Sequence, residues 1–377
     1  MKIVIDCRMY GLEHAGIGRY VENLVRELSK RQRQSRGKGF ELVLFFRRKD
    51  KKRLTIEPFD HLTIIEADYP HYSLREQIFL PWILYRAKCD LVHFPHFNVP
   101  IFYPGKYVVT IHDLIKHASR GRETTTKAPL LYWLKYLGYR VVFWNAVKRA
   151  KKILVPSEWV KNELIKQYHL EPAKVVVTYE GVDEKLRIAN CELRIKNAIL
   201  EKYKIKKPFV VYTGSLYPHK NIERLIKATK SLNLSLVIVC SRNVFWERIR
   251  KRVEELGAEK FVNLVGFVPD EELVKIYQEA VALVQPSLME GFDLTVVEAM
   301  TAGLPVIVSD IPVHREICGQ AALYFDPKSI DDISSKLELV SRDLNLRNKL
   351  RDFGFNQAKK YDWKKTVRQT LKVYQST

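Results

Sequence analysis

Short apolar runs alternate with amphipathic stretches along the whole chain of 377 residues. Thirteen short runs are rich in apolar, often β-branched side chains, and many of them are continuously apolar, which is typical of strands buried on both faces of a parallel sheet. They lie at 3–6, 41–46, 62–66, 91–94, 107–112, 153–156 and 175–179, and then at 209–213, 234–240, 261–266, 280–285, 305–309 and 321–325. Their alternation with helices predicts an α/β protein with two doubly wound, Rossmann-like parallel sheets.

A polar, Lys-rich stretch separates the two sets of strands. We therefore predict an N-terminal domain at 1–181, a linker region at 182–207, a second domain at 208–355, and a helix at 356–377 that packs back toward the first domain. In open parallel sheets, ligands bind beyond the carboxyl ends of the strands. With two such sheets, we expect the ligand in a cleft that both domains face.

The charge of the chain points to an anionic partner. The net charge is +21, and residues 1–180 contribute 32 basic and 18 acidic side chains. Nucleic acid, a membrane surface or a phosphorylated small molecule would suit this excess, and a basic face that is merely solvated is the alternative. No apolar stretch reaches the ~18–20 residues of a membrane span. Five widely spaced cysteines and a strand-like first segment favour a reducing, cytoplasmic location.

The strongest motif spans 286–305, where a strand is followed by a turn and a helix. Glu290 and Gly291 lie in the turn, Asp293 is a candidate N-cap, the helix begins near Leu294, and Glu298 follows within it. A helix N-terminus offers N–H groups and a positive dipole end to a phosphate or a sugar hydroxyl. The alternative is an ordinary helix N-terminus with two incidental glutamates.

A second strand, turn and helix lies at 211–225 and starts the second domain. Gly214 and Ser215 form the turn, and His219 and Lys220 precede the helix. A lysine at a helix N-terminus is well placed to meet an anion, because its charge and the dipole act together. A plain surface lysine is the alternative.

Two motifs in the first half follow strands. Gly16 and Gly18 lack the third glycine of a dinucleotide fingerprint, but they suit a mobile loop that lets the backbone approach a ligand. His112 and Asp113 stand at the carboxyl end of a strand, where a histidine can donate hydrogen bonds or act as an acid or base. A locally paired, structural histidine is the alternative.

No Asp-x-Asp, Walker loop or Gly-x-Ser-x-Gly elbow occurs in the sequence. We therefore expect no metal ion, since divalent cations bound with nucleotide phosphates usually need such carboxylates. Phosphate charge would be met by Lys220, by Arg or His side chains and by helix N-termini.

Together these segments resemble the family-4 retaining glycosyltransferases, which have the GT-B fold of two Rossmann-like domains facing a cleft. Glu290 to Glu298 is similar to the family's E-x7-E signature, and 214–221 to its phosphate-binding lysine turn. Similar segments also occur at 266–273, 322–327, 16–20, 110–114 and 155–159. The stretch 75–100 looks most like the mannosyltransferase branch.

The resemblance implies roles for residues of the second domain. Glu290, with the main-chain N–H groups of Gly291 and Phe292, would bind hydroxyls of the donor sugar. Glu298 would hold the nucleotide ribose, and Lys220 would neutralise the diphosphate leaving group. The leaving phosphate would take the acceptor's proton, and domain closure would exclude water.

In the first domain, the resemblance implies that His112 contacts the donor sugar and that Gly16 and Gly18 form a loop facing the phosphates. The sequence also departs from the family's pattern. Ser215 stands where arginine is common, so His219 or Arg242 would supply the second positive group. Asp293 and Thr295 replace the usual Gly and Pro, which predicts a differently shaped helix tip.

The function implied is a retaining, metal-independent hexosyltransferase without a cofactor. It would move mannose from GDP-mannose to a glycan or lipid-linked acceptor in the synthesis of cell-surface polysaccharide or glycolipid. Alternatives are a phosphorylase or other sugar-nucleotide enzyme of the same fold and, more distantly, a basic nucleic-acid-binding protein, although no recognition motif is present. The acceptor, the linkage and the oligomeric state are not encoded in any motif.

Residues 127–152 mix aromatic and basic side chains. As a helix, this segment has an apolar stripe, which we expect to be buried in the first domain; a surface anchor is the alternative. The basic first half also suits an anionic lipid surface, which would place the protein on the inner face of the cytoplasmic membrane. The stripe consists of Leu130, Trp133, Leu134, Leu137, Val141 and Trp144.

Overall fold

The computed structural model describes residues 1–11, 15–34, 39–50, 54, 56–118, 129–182, 186, 196–240 and 245–377. The chain divides into two compact units. Unit 1 comprises Met1–Leu114, Thr125–Glu180 and Trp363–Thr377, and unit 2 comprises Ile115–Thr124 and Gly181–Asp362. Each unit is built on one parallel sheet, and all thirteen predicted strands are present with small differences at their ends. The expected fold class is confirmed.

Unit 1 contains a seven-stranded parallel sheet of order β3-β2-β1-β4-β5-β6-β7. Successive residues of a strand point to opposite faces, so Ile3 and Ile5 join one core while Val4 joins the other. The strands are β1 Lys2–Asp6, β2 Glu41–Phe46, β3 Leu62–Glu66, β4 Leu91–Phe94, β5 Tyr107–Thr110, β6 Lys152–Val155 and β7 Val175–Val177.

The helices in the first half of the chain are α1 Ala15–Gln34, α2 Leu74–Arg86, α3 Ile115–Ala118, α4 Pro129–Arg149 and α5 Glu158–Tyr168. Side chains from α4 and α5 are buried in the core that contains Val4, while α1 packs into the core that contains Ile3. Helix α2 begins after Ser73, whose side chain accepts a hydrogen bond from the N–H of Glu76.

Helix α4 turns the predicted apolar stripe outward, so the expectation that the stripe is buried is wrong. Trp133, Leu137 and Trp144 are 53, 63 and 55% exposed, and Leu134 and Val141 are exposed as well. The buried face instead carries Phe143, which lay off the stripe. The helix is apolar on two faces, and hydrophobic periodicity alone does not decide which face meets the sheet. The side chain of Leu130 lies outside the described part of the chain.

Unit 2 contains a six-stranded parallel sheet of order β10-β9-β8-β11-β12-β13. Its strands are β8 Phe209–Thr213, β9 Ser235–Val239, β10 Val262–Gly266, β11 Leu283–Gln285, β12 Val306–Ser309 and β13 Ala322–Phe325. Its helices are α6 Lys196–Lys202, α7 Ile222–Ser231, α8 Trp246–Glu255, α9 Asp270–Glu279, α10 Leu294–Thr301, α11 Pro312–Cys318, α12 Ile330–Arg342 and α13 Leu344–Ala358.

The last helix, α14 Trp363–Gln375, belongs to unit 1, whereas α13 belongs to unit 2. The predicted terminal segment 356–377 therefore contains the end of one helix and the whole of the next. Trp363 packs its ring edge against Tyr20 at 5.6 Å between centroids, and Thr366 donates a hydrogen bond to the carbonyl of Tyr179. Helix α14 thus completes the core on the α1 side of the sheet.

Candidate functional site

The candidate residues of unit 2 lie on two turns, one after β8 and one after β11. The N–H of Leu288 donates to the carbonyl of His219 at 2.8 Å. The side-chain amide of Asn221, which is buried, donates to the carbonyls of Pro286 at 3.0 Å and Pro327 at 2.8 Å. These bonds bring the predicted lysine turn and the predicted glutamate turn together.

Gly214 has a backbone conformation that requires glycine. Its φ is +146°, and a Cβ at this position would lie 2.9 Å from the hydroxyl of Tyr212. That hydroxyl donates to the carbonyl of Ser215, and the N–H of Gly214 donates to the carbonyl of Val239 at 3.0 Å. The turn after β8 is therefore held on both sides.

Lys220 and Glu290 form an ion pair with side chains only 15 and 7% exposed. Burial raises the pKa of Glu290; the adjacent Lys220 ammonium opposes this shift, and the charge of Asp293 adds to it. Both groups therefore depend on each other for charge balance. An anion that binds Lys220 would displace a buried carboxylate from it.

The surroundings of His219 do not favour it as the second positive group that the sequence suggested. Burial and the neighbouring charge of Lys220 lower the pKa of His219 to about 3, so the ring is neutral near pH 7. Its ring stacks on Tyr217 with centroids 5.9 Å apart. Arg242, the other candidate, lies outside the described residues.

Asp293 lies at the N-cap position of α10, but its side chain does not cap the helix. Its backbone is left-handed, with φ 77° and ψ 72°. One carboxylate oxygen accepts from the hydroxyl of Thr295 at 2.6 Å, and the other lies 3.1 Å from Nε2 of His314. Burial opposes its ionisation, but the His314 hydrogen bond and the positive charge of Lys220 hold the pKa of Asp293 below its usual value.

The other predicted residues of this helix differ in what they present. Phe292 packs its ring edge against Tyr361 at 5.5 Å, so its side chain belongs to the core and its main chain alone lies at the turn. Gly291 is buried in the turn, and Leu294 is the first helical residue and is partly exposed. Glu298 lies in the second turn of α10 and is 2% exposed.

In unit 1, His112 is held by acceptors on both ring nitrogens. Nε2 lies 2.9 Å from the carbonyl of Pro95, and Nδ1 lies 3.2 Å from a carboxylate oxygen of Glu180. Burial opposes a positive charge on the ring, but the hydrogen bond and charge of Glu180 outweigh it and raise the pKa of His112. The ring of Tyr20 meets it edge-on at 4.7 Å.

Gly16 and Gly18 lie in the first turn of α1, and not in the loop that we expected. A Cβ on Gly18 would lie 1.9 Å from the carbonyl oxygen of Gly11, whereas a Cβ on Gly16 would meet nothing within 4 Å. Gly18 is thus required where the helix passes close to the turn after β1. This close packing is by itself enough to require glycine at position 18.

Sequence reasoning missed four residues that support these groups: Asn221, Gln285, Glu180 and His314. Asn221 has a left-handed backbone with φ 60°, and an asparagine at the end of a short 3-10 turn is a usable signal for that conformation. Gln285 ends strand β11, and a polar residue at the carboxyl end of a buried strand is a usable signal of a role in the site. Glu180 and His314 carry no local signal, because their partners are distant in sequence.

Within the part of the chain that the structure describes, no helix is both long and apolar enough to cross a bilayer. The same residues contain no group of three or more His, Cys, Asp or Glu side chains placed to hold a metal ion.

Two family patterns match the chain. Residues 14–186 match Glycosyltransferase Family 4, and residues 196–357 match Glycosyl transferases group 1. The sequence is 28% identical to O-antigen chain mannosyltransferase B of Escherichia coli, over 99% of each chain. It is 30% identical to O-antigen chain mannosyltransferase RfbU of Salmonella typhimurium, over 72% of this chain and 70% of the relative.

Solved structures resemble the whole chain at low sequence identity. Sucrose-phosphate synthase from Thermosynechococcus elongatus superposes with a TM-score of 0.77 and 20% identity, over 100% of this chain and 98% of the other. Anabaena Alr3699/HepE in complex with UDP and glucose superposes with a TM-score of 0.75 and 17% identity, over all of both chains. At this identity the likeness establishes the fold.

Proposed function

The chain belongs to the family-4 glycosyltransferases, and from this premise we propose that it is a retaining, metal-independent mannosyltransferase that uses GDP-mannose. Its membership makes it a hexosyltransferase of polysaccharide synthesis with the GT-B fold. Mannose is favoured because the relatives just described are mannosyltransferases by name. Guanine as the base of the nucleotide is a proposal of its own, since the Anabaena structure of the same fold is in complex with UDP.

The Lys220–Glu290 pair at the N-terminal end of α10 is the observation that carries this proposal. When the donor binds, Lys220 exchanges the Glu290 carboxylate for a phosphate oxygen of the diphosphate. Glu290 is then free to accept hydrogen bonds from hydroxyls of the sugar. The first N–H groups of α10 and the helix dipole add to the positive potential at the phosphates.

The reaction then needs charge stabilisation more than a protein nucleophile. The acceptor hydroxyl forms a bond to the anomeric carbon as the bond from that carbon to the phosphate oxygen breaks. The acceptor's proton passes to the leaving phosphate, and Lys220 offsets the negative charge that develops there. Lys220 supplies the positive charge that a metal ion supplies in metal-dependent transferases. We therefore propose that sugar transfer continues when a metal chelator is added to the assay.

A donor screen tests the nucleotide and the sugar. GDP-mannose at about 100 times its dissociation constant should stabilise the protein by about 2.7 kcal/mol, which is about 5–11 °C for a unit of this size. The UDP and ADP sugars should shift it less. A larger thermal shift with a UDP or ADP sugar would contradict the assignment of GDP-mannose as the donor. In a separate product analysis, release of free mannose without an acceptor would indicate a hydrolase.

Variants test the site itself. Lys220→Ala and Glu290→Gln should each abolish mannosyl transfer while the folded state persists. Lys227→Ala is the matched control, since Lys227 pairs with Glu223 on the surface of α7. Near-wild-type transfer in both site variants would refute the assignment.

We further propose that unit 1 binds an anionic membrane surface, where a lipid-linked acceptor would lie. Helix α2 exposes Leu74, Ile78, Trp82 and Tyr85 at helical spacing, with Arg86 stacked over the Trp82 ring at 3.8 Å. Helix α4 exposes the part of the stripe from Trp133 to Trp144. Apolar and aromatic side chains beside basic ones are typical of helices that lie in a bilayer interface.

The two helix faces are joined through the loop between β4 and β5. The side chain of Gln77 on α2 accepts from the N–H of Ile101 at 2.8 Å, and Arg149 on α4 donates to the carbonyls of Ile101 and Tyr103. Phe102, between those carbonyls, is 74% exposed.

Vesicle flotation tests the membrane proposal. The protein should float with anionic vesicles at low salt, and both neutral vesicles and high salt should weaken binding, because each basic residue near the surface contributes about 1 kcal/mol. Leu137→Ser with Trp144→Ser should reduce binding at least tenfold, since a fully buried apolar side chain contributes about 1.5–3 kcal/mol. Leu339→Ser, an exposed leucine of unit 2, is the control. Equal binding to neutral vesicles would refute the proposal.

A further inference from the structure

A buried chain of hydrogen bonds lies behind the turn that begins α10. The amide nitrogen of Gln285, at the end of β11, donates to the carbonyl of Thr213 at 2.8 Å and to the hydroxyl of Thr295. Thr295 passes the chain on to Asp293. The carboxyl ends of β8 and β11 are therefore tied to the first turn of the helix.

His314 on α11 closes this chain from the other side. Its ring is 0% exposed, with Nδ1 2.9 Å from the carbonyl of Ser309 at the end of β12 and Nε2 3.1 Å from Asp293. Both ring nitrogens therefore face an oxygen atom within hydrogen-bond distance, and these two contacts fix the orientation of the ring.

These contacts hold a backbone conformation that a residue with a Cβ seldom adopts. Asp293 has φ 77° and is the residue directly before the first N–H of α10. Such a conformation persists where the surroundings fix it, and here both carboxylate oxygens are bound. Helix capping does not hold this conformation, because the Asp293 side chain accepts no hydrogen bond from an N–H group of α10.

We propose that Asp293 and His314 are positioning residues of the donor site, which hold the left-handed turn that aims the first N–H groups of α10 at the donor diphosphate. Neither side chain touches the substrate. The inference rests on the proposed function, since it needs a diphosphate at this helix. Its distinctive consequence is that His314 affects donor binding only through Asp293. The effect should be present only when residue 293 is one that disfavours a positive φ.

A double-variant cycle with GDP as the probe tests this consequence. His314→Gln should weaken GDP binding about tenfold, measured by calorimetry on the folded protein. Asp293→Gly should change it by less than about threefold, because glycine adopts the positive φ without support. In the Asp293→Gly background, His314→Gln should then have no further effect, so the two changes are not additive. Asp293→Ala, which loses both the carboxylate and the tolerance of this φ, should match or exceed the loss in His314→Gln.

Thermal unfolding without ligand separates this role from a general role in folding. A purely structural His314 would lower the melting temperature and leave the GDP affinity of the folded protein unchanged, which would overturn the proposal. An equal loss of affinity in both backgrounds would also overturn it. Arg315→Gln on the same helix, which breaks the exposed pair with Asp310, is the control and should leave affinity unchanged.

The wild-type measurement separates failure of this inference from failure of the proposed function. If UDP or ADP binds in place of GDP, that nucleotide becomes the probe and the same cycle decides the positioning role. If the wild-type protein binds none of the three, the proposed function is refuted and the inference falls with it.

Discussion

Replacing Lys220 with methionine leaves Glu290 without its counter-ion in a site where only 7% of the glutamate side chain is exposed. Removing one partner of a buried ion pair typically costs about 3–5 kcal/mol. Glu290 can relieve part of this cost by taking up a proton, because burial already raises its pKa. We therefore expect a loss of about 2–3 kcal/mol at neutral pH, or about 4–12 °C in the melting temperature.

The dependence on pH has a defined sign. A carboxyl group whose folded pKa is raised favours the folded state when it is protonated, so its unfavourable contribution grows as pH rises from the unfolded value through the folded one. The gap between Lys220→Met and wild type should therefore be small at pH 4.5 and larger at pH 8. Thermal melts followed by circular dichroism at these two pH values measure it.

The paired variant Lys220→Met with Glu290→Gln supplies the decisive comparison. It removes both charges, so it should recover most of the stability that either single change loses, yet it should transfer no sugar. Losses in melting temperature that simply add in the paired variant would show that the two side chains are not coupled. A pH-independent gap would refute the argument that a buried, ionised Glu290 is its cause.

Three further predictions concern unit 1. Burial, aided by the charge of His112, lowers the pKa of His93 to about 3, so the stability that His93 contributes is present above its unfolded pKa of about 6.5 and is lost as pH falls below it. The loss should reach about 2 kcal/mol at pH 5, and urea unfolding of His93→Asn should show a smaller difference between pH 7 and pH 5. Gly18→Ala should cost about 2–3 kcal/mol because its Cβ would overlap a main-chain oxygen, while Gly16→Ala should cost almost nothing; comparable melting temperatures would contradict the close approach. Glu180→Gln should lower the pKa of His112, followed by NMR titration, and an unchanged value would exclude Glu180 as its cause.

Most of the strands could be predicted because they are buried on both faces, as in β2, β4, β5 and β12. A continuous apolar run such as 209–212 in β8 has no polar position to place at the surface, so a parallel sheet is the structure that accommodates it. The turns after β8 and β11 could also be predicted, since glycine and charged residues interrupt the pattern there. Of the candidate site, the meeting of the lysine turn with the glutamate turn follows from the adjacency of β8 and β11 in the sheet.

The remaining features depend on partners that are far apart in sequence. Asp293 is bound by His314, and the ring of His219 is neutral because of burial that no local pattern shows. Helix α4 has two apolar faces, and the choice between them was made by packing of Phe143 against the sheet. Sequence periodicity records that a helix has an apolar face, but tertiary contacts decide which face is used.

The membership of α14 in unit 1 has a consequence for synthesis on the ribosome. Roughly 180 residues, which form nearly all of unit 2, are translated between Glu180 and Trp363. At ~5–20 residues per second this takes about 10–40 s. During that interval the sheet of unit 1 lacks the side chains of Trp363, Leu371 and Tyr374, which complete one of its two cores. The first half of the molecule to emerge is therefore the last to mature, and its nascent form presents an apolar face for chaperones to recognise.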